Sequence, residues 1–425
     1  MITQVRSQLT VRSRWVLVSA LAGLGLACFW LLTASTAGAS TAKVAGVGAV
    51  YTQTNDQAAN SVVVFNRFAN GKLVKRQSVS TGGKGSAQAV GCGPGCPILD
   101  SQTAVVVSDN GRLVFAVNAG SNTVTSFRET PAGLKRVSQV ASGGSMPESL
   151  ALWGNLLYVL NVATENANAT TGNIYGYRVS PSGKLTPLGS SRTLANAAPP
   201  DHSADARAIG FKRNGKVIVV TEIAGGFMGT AGPPGRIDTF VVGANGKAGP
   251  AVSHPSAQPF PFGFEFDNRG HLIVSSILNP ADPTTIGGVA TYSVSNSGVV
   301  TPLDAKSSSG ILPCWVVVTN DGRHVYVVNT GAGHPAPVTW FSLSKSGVLT
   351  PRSPAAGSLP GEFARTDAAL SRDSKYLYVL APQVGPGAPS HVDAYQLRAN
   401  GSMKLIGSTP AGANLGKGAT GLAAR

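Results

Sequence analysis

The segment Pro199-Pro200-Asp201-His202-Ser203-Ala204-Asp205-Ala206-Arg207 gathers an imidazole, carboxylates and a guanidinium into one short run. Two further carboxylates sit in apolar runs downstream: Glu222 ends VIVVTE and Glu265 lies within PFGFEF. A His or a carboxylate can act as general base toward water, and an Arg can bind a substrate carboxylate or stabilise an oxyanion. Hydrolysis of an ester or lactone needs little more. His202, Arg207, Glu222 and Glu265 are therefore the candidate catalytic residues, and Asp205, Arg365 and Asp367 the candidate substrate-binding ones. The competing reading is structural: Arg207, Asp205 and Glu265 as buried ion pairs near an axis, with Glu148, Arg365 and Asp367 at comparable positions elsewhere. The other histidines (His254, His271, His324, His334 and His391) are scattered through turns and loops and read as surface residues.

These residues are carried by a repeat. Its clearest copy runs from Gln102 to Pro147: Ala104–Val107, Leu113–Asn118, Thr123–Arg128 and Leu134–Val140 are short Val-, Phe- and Thr-rich runs separated by Gly, Pro, Asn and Asp. That is the signal of consecutive strands joined by tight turns. The second strand returns as VFAVNA, LYVLNV, VIVVTE, LIVSSI, VYVVNT and LYVLAP, starting 43, 60, 55, 53 and 52 residues apart from Val114 onward. Asn-Gly or Asp-Gly turns precede three of them, supplying the positive φ angles of tight hairpins. The spacing is that of four-stranded propeller blades with loops of varying length. The sequence thus predicts an all-β, seven-bladed β-propeller. Residues 43–79 lack an inner strand, and the tail Lys417–Arg425 reads as the strand that completes blade 1 and closes the ring. Residues 162–173, 224–236, 279–287 and 331–337 all interrupt the repeat between second and third strands. Such insertions should gather on one face, where a site is expected.

The strands LYVLN and VYVVN, the S-x-S-G-x-L-T-P turns Ser180–Pro187 and (with Val for Leu) Ser295–Pro302, and the YVTN-like Val114–Phe127 resemble the lactonase-like seven-bladed propellers. That superfamily includes 6-phosphogluconolactonases and muconate-lactonising enzymes. The resemblance implies lactone hydrolysis at one end of the central channel, with a non-enzymatic binding or surface propeller as the alternative. Of the Pro-His-x-His stretch of these lactonases, this chain matches His202 alone, with Asp201 between it and Pro200.

Composition sets the remaining expectations. Gly 52 and Pro 27 with only 12% charged residues suit many turns joining apolar strands. Net charge is +15, but no Lys/Arg run exceeds two residues, which argues for a solvated basic surface and against nucleic acid as a partner. Arg6, Arg12 and Arg14, an uncharged stretch from Trp15 to Ala42, and Ala37-Gly38-Ala39 form a signal-peptide pattern over residues 1–39. The apolar run also approaches the length of a membrane anchor. The chain is expected to be exported, with residues 40–425 as one propeller, monomeric and touching a membrane only through its N-terminal segment. Cys92-Gly93-Pro94-Gly95-Cys96 is expected to close a small disulfide loop, and Cys314 to be a buried thiol. No metal or cofactor motif is present, and a small lactone- or sugar-like ligand is the expected partner.

Overall fold

The computed structural model describes residues 46–86, 99, 101–162, 172–195, 206–223, 235–277, 286–330, 336–356, 365–382, 390–412, 419 and 421–425. The chain divides into two compact units, Met1–Val44 and Ala45–Arg425. The first lies outside the described residues, as do Cys92 and Cys96. The second is the propeller: seven antiparallel sheets of four strands each.

Blade 1 closes as expected. Its second strand, Gly48–Gln53, pairs with Ser61–Arg67 on one side and with the C-terminal strand Leu422–Ala424 on the other. Tyr51 faces Ala423 in that register. The remaining blades each run inner strand to outer strand in chain order. Their inner strands are Val105–Val107, Pro147–Trp153, Ala206–Phe211, Pro261–Phe266, Pro313–Val318 and Ala368–Leu370.

Second strands such as Leu113–Asn118, Val217–Glu222 and Tyr376–Ala381 are buried at every position. Both faces of each sheet are covered by neighbouring blades, so these strands read as unbroken apolar runs rather than alternating ones. Outer strands do alternate, as in Leu73–Ser80 and Met403–Pro410, because one side faces solvent. Buried tyrosines stitch the blades together. Tyr158, Tyr326 and Tyr378, at equivalent second-strand positions, donate to the carbonyls of Gly246, Gly401 and Gly71 in the next blade's turn at 2.8, 2.8 and 3.0 Å. Each phenol buries its ring and still satisfies its hydroxyl.

The turns differ from the expected tight hairpins in one respect. Asn110 is not left-handed; only Gly111 is, with φ +68, and its N–H closes a four-residue turn on Ser108 O at 2.7 Å. One left-handed residue after the turn is the geometry that matches strand twist with a bulge. Ser374 takes the glycine's place in blade 7, at φ +52.

Because every blade is an antiparallel meander, its first and third connections lie at one end and its second connection at the other. The short turns therefore share one face, the turn face. The interruptions near residues 163–171, 224–234, 278–285 and 331–335 begin and end at the opposite face, the loop face, where the inner strands also begin.

Candidate functional site

At the loop-face end of the axis, four inner strands carry a bulge. Pairing with the second strand shifts between Pro147 and Ser149, Ala206 and Ala208, Pro261 and Phe264, and Pro313 and Trp315. The residues in those gaps include Glu148, Arg207, Phe262 and Cys314. A bulge re-aims a side chain out of the regular alternation, and bulges favour sites. Glu148 and Arg207 stand at this level in adjacent blades. Glu222, the last residue of Val217–Glu222, pairs with Ala206 beside Arg207. All three are fully buried. The Arg207 guanidinium lies over the Phe262 ring, 5.5 Å from its centre, and Phe262 meets Trp315 edge-on at 5.6 Å.

Glu222 occupies the place held by Asn118, Asn161 and Asn329 in blades 2, 3 and 6, each the last residue of a buried second strand. Those asparagines tie the strand end to neighbouring groups, as Asn161 does to Ser142 O at 3.2 Å. Replacing the amide with a carboxylate next to Arg207 is visible in the aligned repeats, VIVVTE against LYVLN. His202 and Asp205, in the run leading into this strand, lie outside the described residues.

The segment before blade 2 crosses the axis below this level. Ser101 Oγ donates to Glu148 O at 2.7 Å, and Trp315 Nε1 donates to Ser101 O at 3.1 Å. Gln102 N donates to Arg207 O at 3.2 Å, and Gln102 Nε2 to Phe264 O and Val316 O at 3.2 and 2.9 Å. Four blades are thus joined by two residues. Sequence reasoning missed this crossbar, although a Gln leading into an otherwise apolar inner strand was a signal.

The crossbar separates Glu265 from the Arg207 group. By register Glu265 sits three residues further along its inner strand than the level of Arg207, about 10 Å along the axis. It opens into a cavity of about 620 Å³ that ends at Gln102 and Thr103 and reaches the turn face at Asp109, Arg372 and Arg425. Glu265 Oε2 accepts the Val318 N–H at 2.8 Å, and Oε1 lies 3.8 Å from Arg213. Burial pushes its carboxyl up to about 7, against the pull of Val318 N–H and Arg213.

Arg365 and Asp367 do not join either group. Arg365 Nη2 donates to Asp393 Oδ2 at 3.1 Å and to the Tyr395 hydroxyl at 2.7 Å, in the third strand of blade 7 and away from the axis. Asp367 holds the ring closed. Its carboxylate receives the Ala368 and Leu422 N–H groups at 2.7 and 2.9 Å, and the Gly421 and Thr103 amides add to the field around it. It spans blades 7, 1 and 2 with φ at +120. Burial raises its carboxyl to about 7 although those four amides oppose the shift. Cys314 is buried in the core between blades, as expected, with its thiol 3.3 Å from Leu312 O.

Comparison with known proteins agrees with this architecture. Residues 56–198 match the family model "Lactonase, 7-bladed beta-propeller". The resemblance to lactonase-like propellers thus extends from the repeats quoted above to a recognised family pattern. A search of curated proteins finds no relative. Among solved structures, the chain is similar to a periplasmic gluconolactonase of Pseudomonas aeruginosa, with 16% identity and a TM-score of 0.62 over 89% of this chain and 98% of that one. A protein of Bacteroides fragilis provisionally assigned as a 6-phosphogluconolactonase is similar at 15% identity and a TM-score of 0.61, over 89% and 98%. A protein of unknown function from Desulfotomaculum acetoxidans, at 15% and 0.59 over the same shares, has the fold as well.

Proposed function

We propose that this chain is an exported lactonase-like propeller that hydrolyses a lactone or similar cyclic ester at the loop-face end of its axis. One observation carries the reading: two carboxylates and a guanidinium, Glu148, Glu222 and Arg207, are buried together where the His202 segment leads into blade 4. Burying charge is costly, and a low-dielectric charged group beside an axis is the usual setting of an active site. The family pattern over residues 56–198, and neighbours named for gluconolactone hydrolysis, support lactones as the substrate class.

In this reading His202 or Glu222 takes a proton from water as its oxygen attacks the lactone carbonyl. Arg207 holds the oxyanion that develops there. The ring C–O bond then breaks, and the leaving alkoxide takes up the proton to give an open-chain hydroxy acid. Asp205 orients the substrate or His202. The N-terminal segment directs export.

The match of His202 alone to the Pro-His-x-His stretch favours a second reading, a propeller that binds an extracellular ligand without turning it over. Titration at constant pH of residues 40–425 against sugar and alkyl lactones separates the two. Turnover reduced roughly 100-fold or more in a folded Arg207→Ala variant, and also lost in His202→Ala, is the expected result. Full turnover in folded Arg207→Ala sinks the site as drawn. Saturable binding without turnover favours the second reading.

A further inference from the structure

Among the described residues, the turn face carries most of the exposed cations. Eleven of its turns are closed in the same way, by an N–H donated to the carbonyl three residues earlier, at 2.7 to 3.2 Å. Within two residues of those turns stand thirteen exposed Lys and Arg, against three exposed carboxylates, Asp109, Asp321 and Asp373. In the linear sequence the bases look dispersed, one or two per repeat. The meander collects them, because both kinds of turn lie at the same end of every blade.

Hydrogen bonds between turns of different blades, two of them adjacent pairs and one linking blades 7 and 2, join the tips on this common face. Arg178 reaches Asn245 O at 2.9 Å, Arg269 reaches Gly322 O at 2.9 Å, and Arg372 reaches Asp109 O. Repeating one turn geometry leaves the tips at similar height. The cations surround the whole ring instead of following a groove. Between them stand exposed apolar side chains on the same face: Trp153, Val241, Val299 and Val348.

We propose that the turn face docks on an anionic membrane surface. An even, ring-wide field of Lys and Arg fits a sheet of acidic headgroups, while a linear polyanion would be followed by a stripe. Trp153 and the valines suit shallow insertion at the headgroup boundary. Among the described residues no helix is long and apolar enough to cross a membrane, and the proposed contact is made by the turn residues. It leaves the loop face directed away from the lipid, and it stands whether or not that face is a lactonase site.

The test uses residues 45–425, which close their own ring, and vesicles of neutral phosphatidylcholine with or without phosphatidylglycerol. Co-sedimentation is expected with the acidic vesicles only, and is expected to be lost at high salt. Lys184→Glu, Lys247→Glu and Lys345→Glu together should weaken it roughly 100-fold, taking each surface cation at about a factor of five. A control with the same change in net charge, Lys75→Glu, Lys84→Glu and Lys306→Glu, lies on outer strands and the loop face and should keep most of the binding. Melting curves establish that both variants are folded. Equal loss in both triples would overturn docking through the turn face. Binding to heparin with none to acidic vesicles would overturn the membrane and make the partner a soluble polyanion. Binding to neither would end the proposal.

Discussion

Asp367 and Glu265 are carboxyls whose burial works against ionisation, and that has a measurable consequence. Both rise from ordinary values of 3.8 and 4.5 to about 7. Between those limits the folded chain holds protons that the unfolded chain has released. Their contribution to stability is complete below pH 4 and is lost as pH rises through 7. Melting temperature should therefore fall from pH 5 to pH 8, and Glu265→Gln, which still accepts the Val318 N–H, should flatten the fall. A variant with an unchanged slope would show that Glu265 titrates near its ordinary value. Arg365 makes the opposite kind of case, a buried cation held by Asp393 and Tyr395. Removing one member of such a pair leaves the other charge stranded, so Arg365→Ala should destabilise the fold by about 3–5 kcal/mol in urea unfolding.

Among the elements, the C-terminal strand Leu422–Ala424 does more than its three residues suggest. It supplies the inner strand of blade 1, its Leu422 N–H donates to the Asp367 carboxylate, and Arg67 Nε donates to Arg425 O at 3.1 Å. Without it Gly48–Gln53 becomes an open edge, and the contacts that join blades 7, 1 and 2 are gone. Deleting residues 417–425 should abolish cooperative melting; a truncated protein that melts as the full chain does would show that closure is dispensable. The crossbar Ser101–Gln102 is the other element that fixes the site. It ties four blades together and divides the axis into a charged loop-face group and a cavity that opens on the turn face.

Over the whole molecule, the two faces are chemically different because of the winding of the chain. Every blade returns its short turns to one side and its longer connections to the other. Variation in loop length therefore builds the loop face, while the repeated basic turns build a field of one sign. Charge spread over one face steers and concentrates partners of opposite sign. A lactone site at one end of the axis and a docking face at the other would place hydrolysis on the solvent side of a membrane-bound disc.

The seven blades, the approximate strand positions and a closing strand within Lys417–Arg425 were legible in the sequence, because short apolar runs and Gly-marked turns are local and repeat. The replacement of Asn by Glu222 at a second-strand end was legible for the same reason. Which candidate residues share a site was not. Glu265 follows Arg207 by one blade, but only register shows them about 10 Å apart along the axis and on opposite sides of Gln102. Arg365 turns into its blade because Asp393 and Tyr395, distant in sequence, wait there. Local spacing determines strands and turns; the direction of a side chain at the axis depends on bulges and on contacts between blades, and only the closed ring supplies those.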